Sequence, residues 1–297
     1  MSAPTEPVQT YALQPSAPRL KLPALACDAH VHVFGPAARF PFSPARHITP
    51  VDAPKEALFA LHQHLGIERC VMVQTVIHGQ DNRVLEDAMA AGQGRYLGIA
   101  LVPLNVADAE LKRLAGLGFR GVRFNFMKHL PGAVDPEQLL ALTQRLKAVG
   151  MHLQVHFESS LVHELHSVFM RSAVPVMVDH MGRVDASLGV AGQDFQGLIK
   201  LLRAPHMHVK VSGIDRVDPR PPQQWPQDAP YSAGLVLANH MVSEFPDRCV
   251  WGTDWPHPNH THIPDDGQLV DALAHIAPSR AQLQRLLVDN PAAFYRF

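Results

Sequence analysis

The chain is short of charge, aromatics and cysteine. Of its 297 residues 18% are charged, 7% are aromatic and three are cysteine. Neither sign of charge prevails, with 26 Lys and Arg against 27 Asp and Glu. That balance argues against a protein that grips nucleic acid through its phosphates. No run approaches the roughly 18–20 apolar residues that span a bilayer, so no membrane segment is expected. Cys27, Cys70 and Cys249 are odd in number, and each adjoins an apolar, strand-like run. They read as buried reduced thiols of a cytoplasmic protein, not as a disulfide framework. The first twenty or so residues lack both the basic start and the apolar run of a secretory signal. Their Pro, Ala, Ser and Thr predict a flexible lead-in over residues 1–22, draped over one domain at 23–297.

Apolar residues are plentiful at 46%, enough for a large core, which excludes wholesale disorder. Histidine is in excess, at 19 residues. Any single histidine is therefore weak evidence, and only spacing discriminates. From Leu25 onward short β-branched runs alternate with helical ones. Strands are expected at 26–34, 70–75, 97–104, 121–126, 152–158, 175–181, 208–213 and 249–254. Helices are expected at 54–65, 81–93, 107–116, 136–149, 161–172, 194–203, 233–245 and, in pieces, 267–288. Pro136 in a first helical turn and Gly150 just past a last one punctuate this pattern. Runs such as VMVQ and VKVS lack strict alternation, as strands covered on both faces do. Eight strands each followed by a helix or long loop predict a single (β/α)8 barrel, with a doubly wound open sheet as the competitor.

Three segments carry chemistry. In Asp28-Ala-His30-Val-His32 the two imidazoles are one residue apart, which on a strand turns both rings into one space. Val-Asp179-His180-Met-Gly182 ends the sixth expected strand, and Trp251-Gly-Thr-Asp254-Trp-Pro-His257 the eighth. Taken singly, His180 reads as a satisfied core histidine and Asp254 as a helix cap or turn former. All of them together on the catalytic rim of a barrel point to a metal or hydrolytic centre. The GxGxxG at Gly116–Gly121 follows a helix and precedes a strand, the reverse of a dinucleotide fingerprint.

DAHVHVFGP, QTVIHGQDN, GVRFNFMK, VDHMGR and WGTDWPHPN together resemble the amidohydrolase superfamily, and within it the lactonases that open small acidic lactones in the breakdown of aromatic compounds. The resemblance implies a (β/α)8 barrel and an active site of His30, His32, His180 and Asp254, with Asp254 as general base. It implies carboxylate clamps at Arg123 and Arg216, with Lys128 near a third, and a substrate contact from His78; His257, one of a cluster of rim histidines after the eighth strand, lies close enough to touch substrate. Where the dicarboxylate lactonases, which work without metal, have a fifth-strand tyrosine, this chain has His156. Metal-dependent amidohydrolases carry a histidine on that strand. His30, His32, His156, His180 and Asp254 are therefore an expected ligand set for one Zn²⁺ or Mn²⁺, the alternative being that His156 hydrogen-bonds substrate. Another family tyrosine, after the first strand, is replaced near His47. The expected partner is a small anionic lactone. A metal-dependent decarboxylase of the same superfamily is the competing enzyme, and the oligomeric state is not legible.

Overall fold

The structure, a computed structural model, describes residues 6–127, 134–226, 230–258 and 262–297. Eight strands pair in chain order, each parallel to the next: β1 (Cys27–Val31), β2 (Arg69–Val73), β3 (Tyr96–Ala100), β4 (Phe119–Phe126), β5 (His152–Phe157), β6 (Val176–Val178), β7 (Met207–Lys210) and β8 (Cys249–Val250). The ring is completed past the end of β8. Ala29 N–H donates to the Trp251 carbonyl at 2.8 Å, Asp254 N–H to the His30 carbonyl at 2.8 Å and His32 N–H to the Trp255 carbonyl at 2.7 Å. This closes the sheet into a (β/α)8 barrel and sets aside the open sheet. Residues 251–254, expected as strand, have left β7 for the catalytic rim, which is why β8 is so short.

Seven helices follow the first seven strands: α1 (Lys55–Leu65), α2 (Arg83–Ala91), α3 (Asp108–Leu117), α4 (Pro136–Ala148), α5 (Val162–Met170), α6 (Gln193–Leu202) and α7 (Ser232–Glu244). After β8 the chain winds through α8 (Asp266–Asp271), α9 (Leu273–Ile276), α10 (Arg280–Gln284), a π turn and α11 (Asn290–Tyr295). At α4 Pro136 stands in the first turn, Asp135 caps Gln138 N–H, and Gly150 takes φ +68°, a left-handed stop that glycine adopts without strain. No helix among the described residues is long and apolar enough to cross a membrane.

The floor of the barrel is apolar. Ala29, Val71, Val73, Leu97, Ile99, Met177 and Val250 pack together, with Tyr295 of α11 inserted among them. Asn290 ties α11 to the base of β8 by donating to the Pro246 and Cys249 carbonyls at 2.8 and 2.7 Å. Between Val8 and Leu20 the lead-in is anchored to the barrel by hydrogen bonds. Val8 bonds to Thr49 and Val51, Ser16 to Asp265, and Arg19 and Leu20 to Asp271.

Candidate active site

The β1–β2 register slips between Asp28 and Val31, a bulge that breaks the two-residue alternation. Asp28 consequently faces the helix layer, 3.7 Å from His62 of α1, while His30 and His32 face the barrel axis. Asp28 Oδ1 accepts from His30 N–H and Thr253 N–H at 3.1 Å each, and Oδ2 from Thr253 Oγ1 at 2.6 Å. It thus pins β1 to the segment after β8, the supporting role its position suggests.

Three imidazoles, two from β1 and one from the end of β6, then converge on one carboxylate oxygen. Asp254 Oδ1 lies 3.1 Å from His32 Nε2, 3.5 Å from His30 Nε2 and 3.7 Å from His180 Nε2. Its Oδ2 is 3.0 Å from Arg216 Nη2, and Arg216 also donates to the Pro258 carbonyl. His180 Nδ1 lies 3.0 Å from Ser212 Oγ, and His32 Nδ1 is 2.7 Å from the Val73 carbonyl. All four site residues are buried. Burial alone would raise the Asp254 carboxyl, but Arg216 and His180, with His32 and His30, hold it well below the ordinary aspartate range. Burial drives the other way on the rings: His30 falls to about 3, helped by Lys210, and His180 falls well below its ordinary value. The centre is an ionised carboxylate beside the His30 and His180 rings, which burial keeps neutral. Several of these positions hold left-handed backbone: His180 (φ +48°), Met181 (+51°), Arg183 (+56°) and Asp254 (+67°). Each such non-glycine residue costs about 1–3 kcal/mol, strain that collects where a site dictates side-chain direction.

Beneath this centre lies a layer of charge that sequence reading missed. Lys210 of β7, fully buried, donates to the Ala29 carbonyl at 2.8 Å and lies 3.2 Å from His30 Nδ1. Burial lowers its ammonium to about 8, Asp179 resisting. Asp179 Oδ2 accepts from Arg123 Nε at 2.8 Å and Gln154 Nε2 at 3.1 Å, while Oδ1 lies 3.2 Å from His30 Nδ1. A lysine inside the apolar run VKVS was the available signal, since buried charges occur where they are paired. Arg183 was also missed. It stands mostly buried near Arg216, and burial, with that neighbour, lowers it to about 10.

The other expected residues fall into two groups. Arg123, His156, Arg216 and His47 line a cavity of about 40 Å³ over the centre, with Thr75 and Asn125. Clefts of about 330 and 450 Å³ flank it, one sharing Arg123 and Asn125, the other sharing Arg216 and lined also by Arg183. A larger cleft of about 650 Å³, beside α7 and α8, contains none of these groups. His156 Nδ1 is 3.2 Å from Asn125 Oδ1, and its ring centroid is 5.6 Å from that of His180. Two histidines are engaged elsewhere. His78 accepts from Gly35 N–H at 3.2 Å and contacts the Pro41 carbonyl at 3.3 Å, bracing the loop after β1. His257 is buried with Nε2 3.0 Å from Asp266; burial would lower it, but that carboxylate raises it above the ordinary histidine value. Lys128 lies outside the described residues.

The residues suit a divalent cation. Ligand atoms of His30, His180 and Asp254 all lie within 4.8 Å of one another, and the Nε2 atoms of both rings lack hydrogen-bond partners among the described residues. His32 stands beside the same carboxylate, with Nε2 3.1 Å from Asp254 Oδ1 and Nδ1 2.7 Å from the Val73 carbonyl, which orients the ring. Of the five expected ligands, His32 and His156 stand outside the three-residue group.

Fold and site together define a (β/α)8-barrel enzyme whose chemistry is assembled at the C-terminal ends of its strands. The chain belongs to the amidohydrolase family, whose sequence model matches residues 27–297. It is 46% identical to a 2-pyrone-4,6-dicarboxylate hydrolase of Comamonas testosteroni, over 95% of this chain and 93% of the relative. It is 38% identical to a 4-sulfomuconolactone hydrolase of Hydrogenophaga intermedia, over 93% and 90%. A solved Pseudomonas putida structure, provisionally described as a 2-pyrone-4,6-dicarboxylic acid hydrolase, superposes with a TM-score of 0.74 at 29% identity, covering 93% of this chain and 98% of that one.

Proposed function

We propose that this chain hydrolyses a small carboxylated or sulfonated lactone, in the breakdown of aromatic compounds in the cytoplasm. The observation that carries the reading is the convergence of His32, His30, His180 and Arg216 on the Asp254 carboxylate beneath a small cavity. The names of the relatives, hydrolases of two such lactones, support the substrate class and do not favour decarboxylation.

Lactone opening needs a nucleophilic water, a base and stabilisation of the tetrahedral oxyanion. Asp254 takes the proton of the water that attacks the carbonyl carbon. It returns that proton to the ring oxygen as the carbon–oxygen bond breaks, leaving a hydroxyl and a new carboxylic acid that ionises and releases one proton to solvent. Arg216 binds the anionic group nearest Asp254, exchanging one carboxylate for another, and Arg123, fixed by Asp179 through Nε, turns its remaining nitrogens toward a second. His156 and His47 contribute polar groups to the wall where the dicarboxylate lactonases have tyrosines. His30, His180 and Asp254, with His32, are the residues to hold one Zn²⁺ or Mn²⁺. Such an ion, when bound, supplies a Lewis acid for the carbonyl and lowers the pKa of water toward about 7.

Asp254→Asn keeps the size of the side chain and removes the base. With 2-pyrone-4,6-dicarboxylate as substrate and proton release as the signal, turnover should fall by at least about 10³-fold with the circular dichroism spectrum unchanged. Undiminished ring opening, or CO₂ release with the ring intact, overturns the proposal. Full activity of metal-free protein would refute the metal part alone.

A further inference from the structure

His30 is approached at one nitrogen by two groups with opposite requirements. Its Nδ1 lies 3.2 Å from Asp179 Oδ1 and 3.2 Å from Lys210 Nζ. A carboxylate only accepts hydrogen bonds, and an ammonium only donates them. Asp179 therefore favours the tautomer with its hydrogen on Nδ1, and Lys210 the tautomer with its hydrogen on Nε2. The choice is felt across the ring, where Nε2 faces Asp254 Oδ1 at 3.5 Å with no hydrogen-bond partner among the described residues. A bare Nε2 is a ligand atom. An Nε2–H is a donor that can reach a carbonyl oxygen and cannot ligate.

Hydrogen-bond accounting separates the two. Asp179 has alternatives, because Oδ2 is already served by Arg123 and Gln154 and Oδ1 also has Lys210 at 3.5 Å. Lys210 has fewer. Its side chain is 0% exposed, and its three hydrogens have three acceptors in reach among the described residues: the Ala29 carbonyl and His30 Nδ1 at hydrogen-bond distance, and Asp179 Oδ1 as an ion-pair partner at 3.5 Å that makes no hydrogen bond. A hydrogen on His30 Nδ1 would take one of the three away and set two donors 3.2 Å apart in a dry interior. We propose that Lys210 is a positioning residue that holds His30 in the Nε2–H tautomer and thereby weakens the centre's grip on a divalent cation, Asp179 pulling the opposite way. Its metal arm rests on the ligand set proposed above; its tautomer arm does not.

The test uses metal-free full-length protein labelled with ¹⁵N in histidine, with the His30 signals assigned by difference against His30→Gln. Wild type should show the hydrogen on Nε2. Lys210→Met should move it to Nδ1 and tighten Zn²⁺ binding about 10–100-fold, the range typical of groups that orient a metal-binding histidine. Asp179→Asn should keep the hydrogen on Nε2 and loosen Zn²⁺ by a similar factor. A wild-type signal with the hydrogen on Nδ1 overturns the inference, and needs no variant to fold. So does a Lys210→Met protein with an unmoved tautomer. If the tautomer moves and no variant binds Zn²⁺, Lys210 keeps its role and the metal leaves the proposed function.

Discussion

Thr253→Val probes the seam on which the site is built. The threonine hydroxyl donates to Asp28 Oδ2 at 2.6 Å and accepts from Trp255 N–H at 3.1 Å. Asp28 is fully buried, and once the hydroxyl is gone Oδ2 faces His62 Nε2 at 3.7 Å, beyond hydrogen-bond distance. A hydrogen bond to a charged group contributes about 1.5–3 kcal/mol, and an orphaned buried N–H costs about 1–3 kcal/mol. Valine fills the same volume, so no cavity offsets or inflates the effect. The expected loss is about 4 kcal/mol, or roughly 8–15 °C in melting temperature at about 2–4 °C per kcal/mol. Thr253→Ser, which keeps the hydroxyl and loses a methyl, should lose only about 1 kcal/mol. Calorimetry on the two variants decides: if valine melts with serine, Asp28 does not depend on this donor and its assigned role fails. The valine variant should also lose turnover, since Asp28 holds the His30 backbone.

Three more expectations follow from the same coordinates. A Cβ at Gly252 would fall 2.5 Å from His30 N and 2.7 Å from His30 Cβ, so Gly252→Ala should push β8 from β1, cost about 1–3 kcal/mol and lower turnover; an unaltered melting point argues against that close approach. Arg216→Lys keeps the charge and loses the fork, so KM should rise about 10-fold or more with kcat less affected, measured by initial rates; a change confined to kcat would remove Arg216 from substrate binding. His208, at the base of the barrel, is lowered by burial, and next by Arg248, to about 4. Above about pH 6.5 both states are neutral and the residue is silent. Between 6.5 and 4 the unfolded chain takes the proton first, so stability falls with pH by about 1.4 kcal/mol per unit, some 3 kcal/mol in all. His208→Gln should flatten that part of a urea-midpoint profile, and an unchanged slope would show that His208 contributes nothing to it.

Periodicity and punctuation made the barrel legible. All eight expected strands and the helices between them occur, because each apolar run is buried on both faces, as Val176–Val178 is. Strand ends were less legible: residues 251–254 look like strand in composition, yet their hydrogen bonds go to β1. The two-residue spacing of His30 and His32 placed both rings correctly, but the same rule would have turned Asp28 inward. The bulge that prevents it leaves no mark in composition. His78 and His257 illustrate the opposite limit. Both lie near site segments, and their ring nitrogens serve Gly35, Pro41 and Asp266, partners that only tertiary structure supplies.

The same few bonds close the barrel and build the centre. Asp254 N–H is held by the His30 carbonyl, His30 N–H by Asp28, and the Ala29 carbonyl by Lys210. Side chains that must meet at Asp254 Oδ1 thus hang from backbone that cannot shift without opening the sheet. This explains why left-handed backbone at Asp254 persists: closure over-determines that position, so the strain is offset by a whole ladder and not by a local contact. It also separates two kinds of failure. Variants at Thr253 or Gly252 lose stability and turnover together, whereas Asp254→Asn and Arg216→Lys, which leave the backbone seam intact, lose function without melting early. Parallel measurements of melting and kinetics on these four variants should divide them in that way, and a stable Gly252→Ala protein with lost turnover would show that the seam and the centre are not one construction.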